Sequence, residues 1–352
     1  MLGWVRVRDY FFNKKKRERA FLENGSMLLE KLIVSCNGNI GKSIPIRTFS
    51  YQELRRFKIC ELNEGIHMWY KGFFEGQIFL IKSYFGLKPF AKYVINELAI
   101  SAQMGAHSNV LRPVGCCLET PTLILVYEFA AKGILANRIY ASRVSQYQQP
   151  MAWASRLKIA RQIAHAISYL HTAFSRPVIH LDIRMENIFL DEHDVPKLFN
   201  FLFSRSIPEG ETDVNVYEGI HHQRLTSPEV IATGRGTEKT DVYHFGVLLL
   251  ELDSGESIEA EVSATLQDLV ILAGEGGVTA SFNSGESIEA EDSATLQDLV
   301  ILAGEGGVTA SFIQQKKAVL DLVGTCMGED PETRPTMIDV TKELKRIEGF
   351  VP

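Results

Sequence analysis

The chain has 352 residues, enough for one large domain or two lobes around a cleft. Apolar residues make up 45% and charged residues 23%, which excludes global disorder, and no apolar run reaches the roughly 18 residues of a membrane span. The formal charge of −6 hides an asymmetry: residues 253–312 carry twelve Asp and Glu and no Lys or Arg, so the remainder is formally +6.

Residues 1–20 carry seven Lys and Arg against Asp9 and Glu18. They lack the apolar run and small-residue cleavage site of a signal peptide. Leu2 rather than glycine follows Met1, which excludes N-myristoylation of a chain that starts there. The cluster Lys14, Lys15, Lys16, Arg17 and Arg19 reads as a solvated helix face; contact with anionic lipid, at about 1 kcal/mol per charge, is the alternative. Residues 20–34 predict an amphipathic helix with Phe21, Leu28, Leu29, Leu32 and Ile33 at helical spacing, ended by the Asn-Gly-Asn of 37–39 and Gly41. A second short helix follows within 49–57, capped by Ser50. Runs rich in β-branched and aromatic residues then predict strands over 69–74, 76–85, 109–119 and 122–129, interrupted by a helix at 91–107. Beyond residue 132 the pattern is mostly helical, with helices at 153–174, 240–252, 315–328 and 337–350. The expected fold is α+β and bilobal: a basic and amphipathic extension (1–47), a small β-rich lobe (48–130) and a larger α-helical lobe (131–352). The five cysteines, at 36, 60, 116, 117 and 326, form no C-x-x-C pair and read as reduced thiols.

Residues 253–282 are repeated at once as 283–312, differing only at 253/283 and 262/292. Two copies are too few for a solenoid, so this is a tandem duplication or an assembly error.

The chemistry lies in an ordered series of motifs. Lys82 sits on a strand in FLIK, and Glu97 on the next helix in VINELAI. HLDIRMENIFLD (180–191) carries Asp182 and Asn187, and KLFNFLFSR (197–205) carries Asn200-Phe201-Leu202. SPE (227–229), DVYHFG (241–246) and Arg334 in ETRPTM follow. In this order they resemble the eukaryotic protein kinase domain, of the plant receptor-like/Pelle type, over roughly residues 48–350. The resemblance implies a bilobal kinase fold. Lys82, preset by Glu97, would hold the α- and β-phosphates of ATP; Asp182 stands where the catalytic base belongs; Asn187 and Asn200 stand at the two metal-ligand positions. Glu229 and Arg334 are expected to pair within the large lobe.

The departures converge on phosphate and metal. Leu62, Glu64 and His67 stand where the phosphate-covering glycines belong, with Gly65 between the required positions. Leu80 replaces a small residue and would crowd an adenine ring. Leu181 replaces the arginine that grips a phosphorylated activation loop, and Arg184 a lysine. Asn200 replaces the aspartate of Asp-Phe-Gly, and a neutral amide is a poor magnesium ligand. The expectation is a catalytically impaired pseudokinase acting as scaffold, adaptor or effector decoy, with ATP and magnesium binding weak at best and no cofactor required. The alternatives are a weakly active Ser/Thr kinase using Lys82, Asp182 and Asn187, and a switch set by ATP occupancy without transfer. The start of the chain also resembles a small group of plant receptor-like cytoplasmic pseudokinases. That resemblance implies an intracellular NLR immune receptor, other receptor-like cytoplasmic kinases or pathogen effectors as partners. It implies a cytoplasmic protein, or one peripheral at the plasma membrane, with no nucleic acid and no membrane span.

Overall fold

The computed structural model describes residues 14–35, 46–61, 67–84, 90–144, 150–216, 227–255 and 310–350. The expectations for Leu62, Glu64, Gly65 and the side chain of His67 lie outside the described residues, as do those for nearly all of the doubled segment.

The upper lobe is a six-stranded sheet. Its strands are β1 (Arg47–Thr48), β2 (Lys58–Glu61), β3 (His67–Phe74), β4 (Gln77–Tyr84), β5 (Pro113–Cys117) and β6 (Ile124–Glu128), in the order β1-β5-β6-β4-β3-β2. Only β1 pairs in parallel, with β5. This requires Gly115, where a Cβ would collide with the Arg47 carbonyl oxygen. Side chains alternate between two buried faces, as the period of two demands. Tyr70, Phe79, Ile81, Ile124 and Val126 turn to one side, where Phe49, Tyr51, Leu54 and Phe57 cover them. Those four come from the segment around α2 (Tyr51–Leu54), which Ser50 and Glu53 close with a capping box. Trp69, Leu80, Leu125 and Tyr127 belong to the other face, in a core that runs on into the lower lobe.

Helix α1 (Lys14–Ser35) packs against α3 (Ala91–Met104). It begins six residues before the expected start, and its buried face matches the expected one only in part: Leu28 packs against the core, beside Met27. Phe21, Leu29 and Ile33 are exposed, whereas Ala20 and Asn24 are buried. The Asn24 amide donates to the carbonyls of Leu118 (2.9 Å) and Thr120 (2.8 Å). A polar side chain with both donors satisfied fits an interface where a wider apolar one need not, and apolar periodicity alone does not register that.

The lower lobe is helical: α4 (Leu135–Val144), α5 (Trp153–Thr172), α6 (Pro228–Thr233), α7 (Glu238–Ser254), α8 (Ala310–Cys326) and α9 (Met337–Glu348). Small strands serve its loops: β7 (Gly133–Ile134), β8 (Val178–Ile179), β9 (Ile188–Leu190), β10 (Pro196–Leu198), β11 (Arg205–Ser206), β12 (Val214–Asn215) and β13 (Arg235–Gly236). Helices α7 and α8 approach closely at Gly246, where a Cβ would meet Met327 at 2.7 Å. Among the described side chains Cys116, Cys117 and Cys326 are free and buried, and burial pushes each thiol up to about 12.

Glu229 and Arg334 form the expected pair. Arg334, 2% exposed, donates to the two carboxylate oxygens at 3.1 and 2.9 Å and to the carbonyls of Gly328, Glu329 and Lys239. Breaking a buried ion pair on one side leaves an uncompensated charge and costs about 3–5 kcal/mol. Arg334→Ala is therefore expected to lower the unfolding free energy by about that amount in chemical denaturation; a midpoint equal to wild type would contradict this assembly of the lobe.

Histidines set an acid limit. Burial holds the pKa values of His180 and His244 below the ordinary value. His107 is lowered to about 4 by burial, then by His165 and Lys197. The unfolded chain therefore binds more protons below about pH 6.5, and stability falls as pH falls toward 4. Denaturation midpoints measured between pH 7.5 and 5 should decline most steeply below about 6.5; a flat profile would contradict the buried neutral histidines.

Candidate functional site

Two strands and one helix of the upper lobe set Lys82. Strand β4 places it on the cleft-facing side of the sheet, opposite Trp69 of β3 and Leu125 of β6. Helix α3 presents Glu97 across from it, and both side chains are fully buried. Lys82 Nζ donates to Glu97 Oε1 (2.9 Å), Glu97 Oε2 (3.1 Å) and Asn200 Oδ1 (3.0 Å). An ammonium has three donors, and these three bonds use them all. Two phenols share the carboxylate: Tyr127 Oη donates to Oε1 at 2.8 Å and Tyr84 Oη donates to Oε2. Burial and then the Glu97 charge raise both phenol pKa values, which keeps them donors. Burial pushes the Lys82 pKa down, opposed by Glu97 and then Asp182.

Asn200 joins this group to the lower lobe. Its Oδ1 accepts from Lys82, and its Nδ2 donates to Asp182 Oδ2 at 2.9 Å. The partners fix the amide orientation, because Lys82 can only donate and the carboxylate can only accept. Asn200 lies in the left-handed region (φ +70°), which asparagine tolerates better than most side chains. The Asn187 amide donates to the Asp182 carbonyl at 2.8 Å. The structure thus brings Lys82, Glu97, Asn200 and Asp182 into one hydrogen-bonded chain, with Asn187 bonded to the Asp182 backbone beside it.

Its support comes from below. Asp241 at the start of α7 accepts from the backbone N–H groups of His180 (2.7 Å) and Leu181 (2.8 Å). Its Oδ2 is 2.8 Å from His171 Nε2. Leu181 has φ +67°, a conformation that costs a non-glycine residue on the order of 1–3 kcal/mol, so the two bonds to Asp241 hold a strained turn. The Leu181 side chain sits among Ile179, Ile207, Val216 and Val230. An apolar cluster therefore surrounds the position where the resemblance would put a phosphate-gripping arginine. Asn96, next to Glu97 on α3, donates to the carbonyls of Phe201 (2.9 Å), Leu202 (3.4 Å) and Ser204 (3.0 Å), which fixes the segment after Asn200.

Motif reading located Lys82, Glu97, Asp182, Asn187 and Asn200. It missed Asn96, Tyr84, Tyr127, Trp69 and the pair Phe189 and Phe199. Strand alternation from Lys82 would have put Leu80 and Tyr84 on its face; the other positions depend on the fold.

A β-sheet lobe that carries a buried lysine–glutamate pair, bonded through Asn200 to a helical lobe whose loop is anchored on α7, defines a protein kinase fold. The model of the family described as protein tyrosine and serine/threonine kinase matches residues 87–344, and the chain belongs to that family. Similar proteins from Arabidopsis thaliana carry divergent names. Serine/threonine-protein kinase ZRK1 is 35% identical over 348 residues, covering 96% of this chain and 94% of that protein. Non-functional pseudokinase ZRK2 is 34% identical, covering 95% and 91%. Non-functional pseudokinase ZED1 is 37% identical over 254 residues, covering 70% and 73%. No helix among the described residues is long and apolar enough to cross a membrane.

The amide at 200 has a testable consequence. A carboxylate there could not donate to Asp182, and two ionised carboxylates at that separation repel unless a cation lies between them. Asn200→Asp is expected to melt below wild type in EDTA and to regain stability on adding millimolar Mg²⁺, whereas wild type shows no Mg²⁺ response. Equal melting of the two proteins in EDTA would contradict the bridge. Lys82→Met is expected to cost about 3–5 kcal/mol, because it strands Glu97 in the core.

Proposed function

We propose that this chain is a pseudokinase that works as a scaffold or adaptor, in plant immune signalling, rather than by phosphoryl transfer. The observation that carries this reading is the Asn200 amide bonded between Lys82 and Asp182. It closes internally the lysine that would face phosphate and the carboxylate that stands where the catalytic base belongs. Asn187 and Asn200, both neutral amides, are a poor donor set for magnesium, which prefers carboxylate oxygens, and Asn200 Oδ1 already accepts from Lys82. Losing one metal-holding charge removes transition-state stabilisation on the order of several kcal/mol, about a 10³-fold loss in rate. The names of ZRK2 and ZED1 as non-functional pseudokinases agree with this reading. An intracellular NLR immune receptor is the partner we propose, on relatedness to that group, with cytoplasmic residence.

A second reading is a weakly active Ser/Thr kinase. The intact Lys82–Glu97 pair, the retained Asp182 and Asn187, and the name of ZRK1 favour it. The deciding assay is transfer from radiolabelled ATP with Mg²⁺ and with Mn²⁺, alongside Asp182→Ala. The pseudokinase reading predicts no signal above that variant; transfer that Asp182→Ala abolishes would overturn it.

A further inference from the structure

The seam between the lobes has a polar end and an apolar one. At the polar end stand Lys82, Glu97, Asn200 and Asp182. The apolar end is a stack of rings contributed from both sides. Trp69, on β3, pairs directly with Lys82 of β4 and so lies on the same face of the sheet, with Leu80 on the diagonal. Its indole reaches across the seam. The ring centroid lies 5.1 Å from that of Phe189, on β9 of the lower lobe, at an interplanar angle of 82°. It lies 5.3 Å from that of Phe199, at 90°. Phe189 and Phe199 are themselves 4.8 Å apart. Tyr127 flanks the indole at 5.9 Å. Trp69 is 3% exposed and Leu80 1%. Edge-to-face contacts of this kind are favourable beyond the area they bury, so the rings hold the lobes together as well as filling the space between them. The Lys82 ammonium lies within 5.1–5.4 Å of the Trp69, Tyr84 and Phe199 rings.

A slot with a flat, ring-lined interior suits a planar heteroaromatic ring such as the purine of a nucleotide; the Lys82 ammonium at its end is already neutralised by Glu97, so stacking of the ring, and not the phosphates, would supply the affinity. We propose that Trp69 is a built-in occupant of that slot. Its indole takes the space a purine ring would need and clamps the lobes without a ligand, leaving a cryptic nucleotide site that opens when Trp69 is cut back. The proposal rests on the pseudokinase reading, because it takes the closed cleft as the working state of the protein. It is separable from that reading, since the loss of the metal-holding carboxylate would impair transfer even with the slot open.

The test is calorimetric titration of the full chain with ADP in EDTA, so that metal binding does not contribute. Wild type is expected to show no saturable binding up to roughly 1 mM, whereas Trp69→Ala binds at least about ten-fold more tightly. Trp69→Val, a smaller cut at the same position, is the second arm if Trp69→Ala does not fold. Trp69→Phe, which keeps a ring in place, is expected to bind no better than wild type. Micromolar ADP binding by wild type would overturn the proposal whatever the variants do. So would a folded Trp69→Ala or Trp69→Val chain that binds no more tightly than wild type. Phosphoryl transfer, measured separately, reports on the pseudokinase reading and not on the slot.

Discussion

The buried Lys82 ammonium is the constraint on which the rest of the cleft depends. A charge held away from water must be neutralised and have its donors satisfied, or it will cost several kcal/mol. Here Glu97 supplies the neutralisation and two of the three acceptors, and Asn200 supplies the third. Everything around the pair serves to keep that arrangement dry. Tyr84 and Tyr127 occupy the remaining capacity of the carboxylate. The rings of Trp69, Tyr84 and Phe199 wall the ammonium. Helix α3 is held in place at its Asn96 by the carbonyls beyond Asn200. A protein that bound phosphate here would need one of those donors to turn outward, and the structure gives all three to itself.

On the pseudokinase reading we propose, the fold is kept while the chemistry is not. The elements that build the lower lobe keep their full bonding: Asp241 holds the strained turn at Leu181, and Arg334 with Glu229 joins α6 to the segment before α9. Those interactions are matters of stability and persist without catalysis. The changes fall on groups that would touch ligand. Asn200 trades a charge for a bridge, and the apolar neighbours of Leu181 replace a charged contact with packing. On the scaffold reading we propose, such substitutions cost nothing, because a scaffold binds its partner through its surface.

Much of this was legible in the sequence, for identifiable reasons. The cap at Ser50 was readable because a serine with glutamate three residues later is a local signal. The site residues were readable because Lys82, Glu97, Asp182, Asn187 and Asn200 fall in an ordered series of motifs. Trp69 was not, because its meaning comes from its register opposite Lys82 and from Phe189, far along the chain, reaching it from the other lobe. The inner face of α1 was only partly legible because its centre is polar: Asn24 is buried with its amide bonded to carbonyls of a distant loop, which apolar periodicity does not register.

The central claim is that Lys82 is committed to the protein and not to a nucleotide. The most direct measurement is labelling of the full chain with an ATP acyl-phosphate probe, which acylates a lysine lying beside bound phosphates, with mapping of the modified peptides. The account predicts that Lys82 is modified no more than the solvent-exposed lysines and that excess ATP does not change the pattern. Selective acylation of Lys82 that excess ATP suppresses would contradict it.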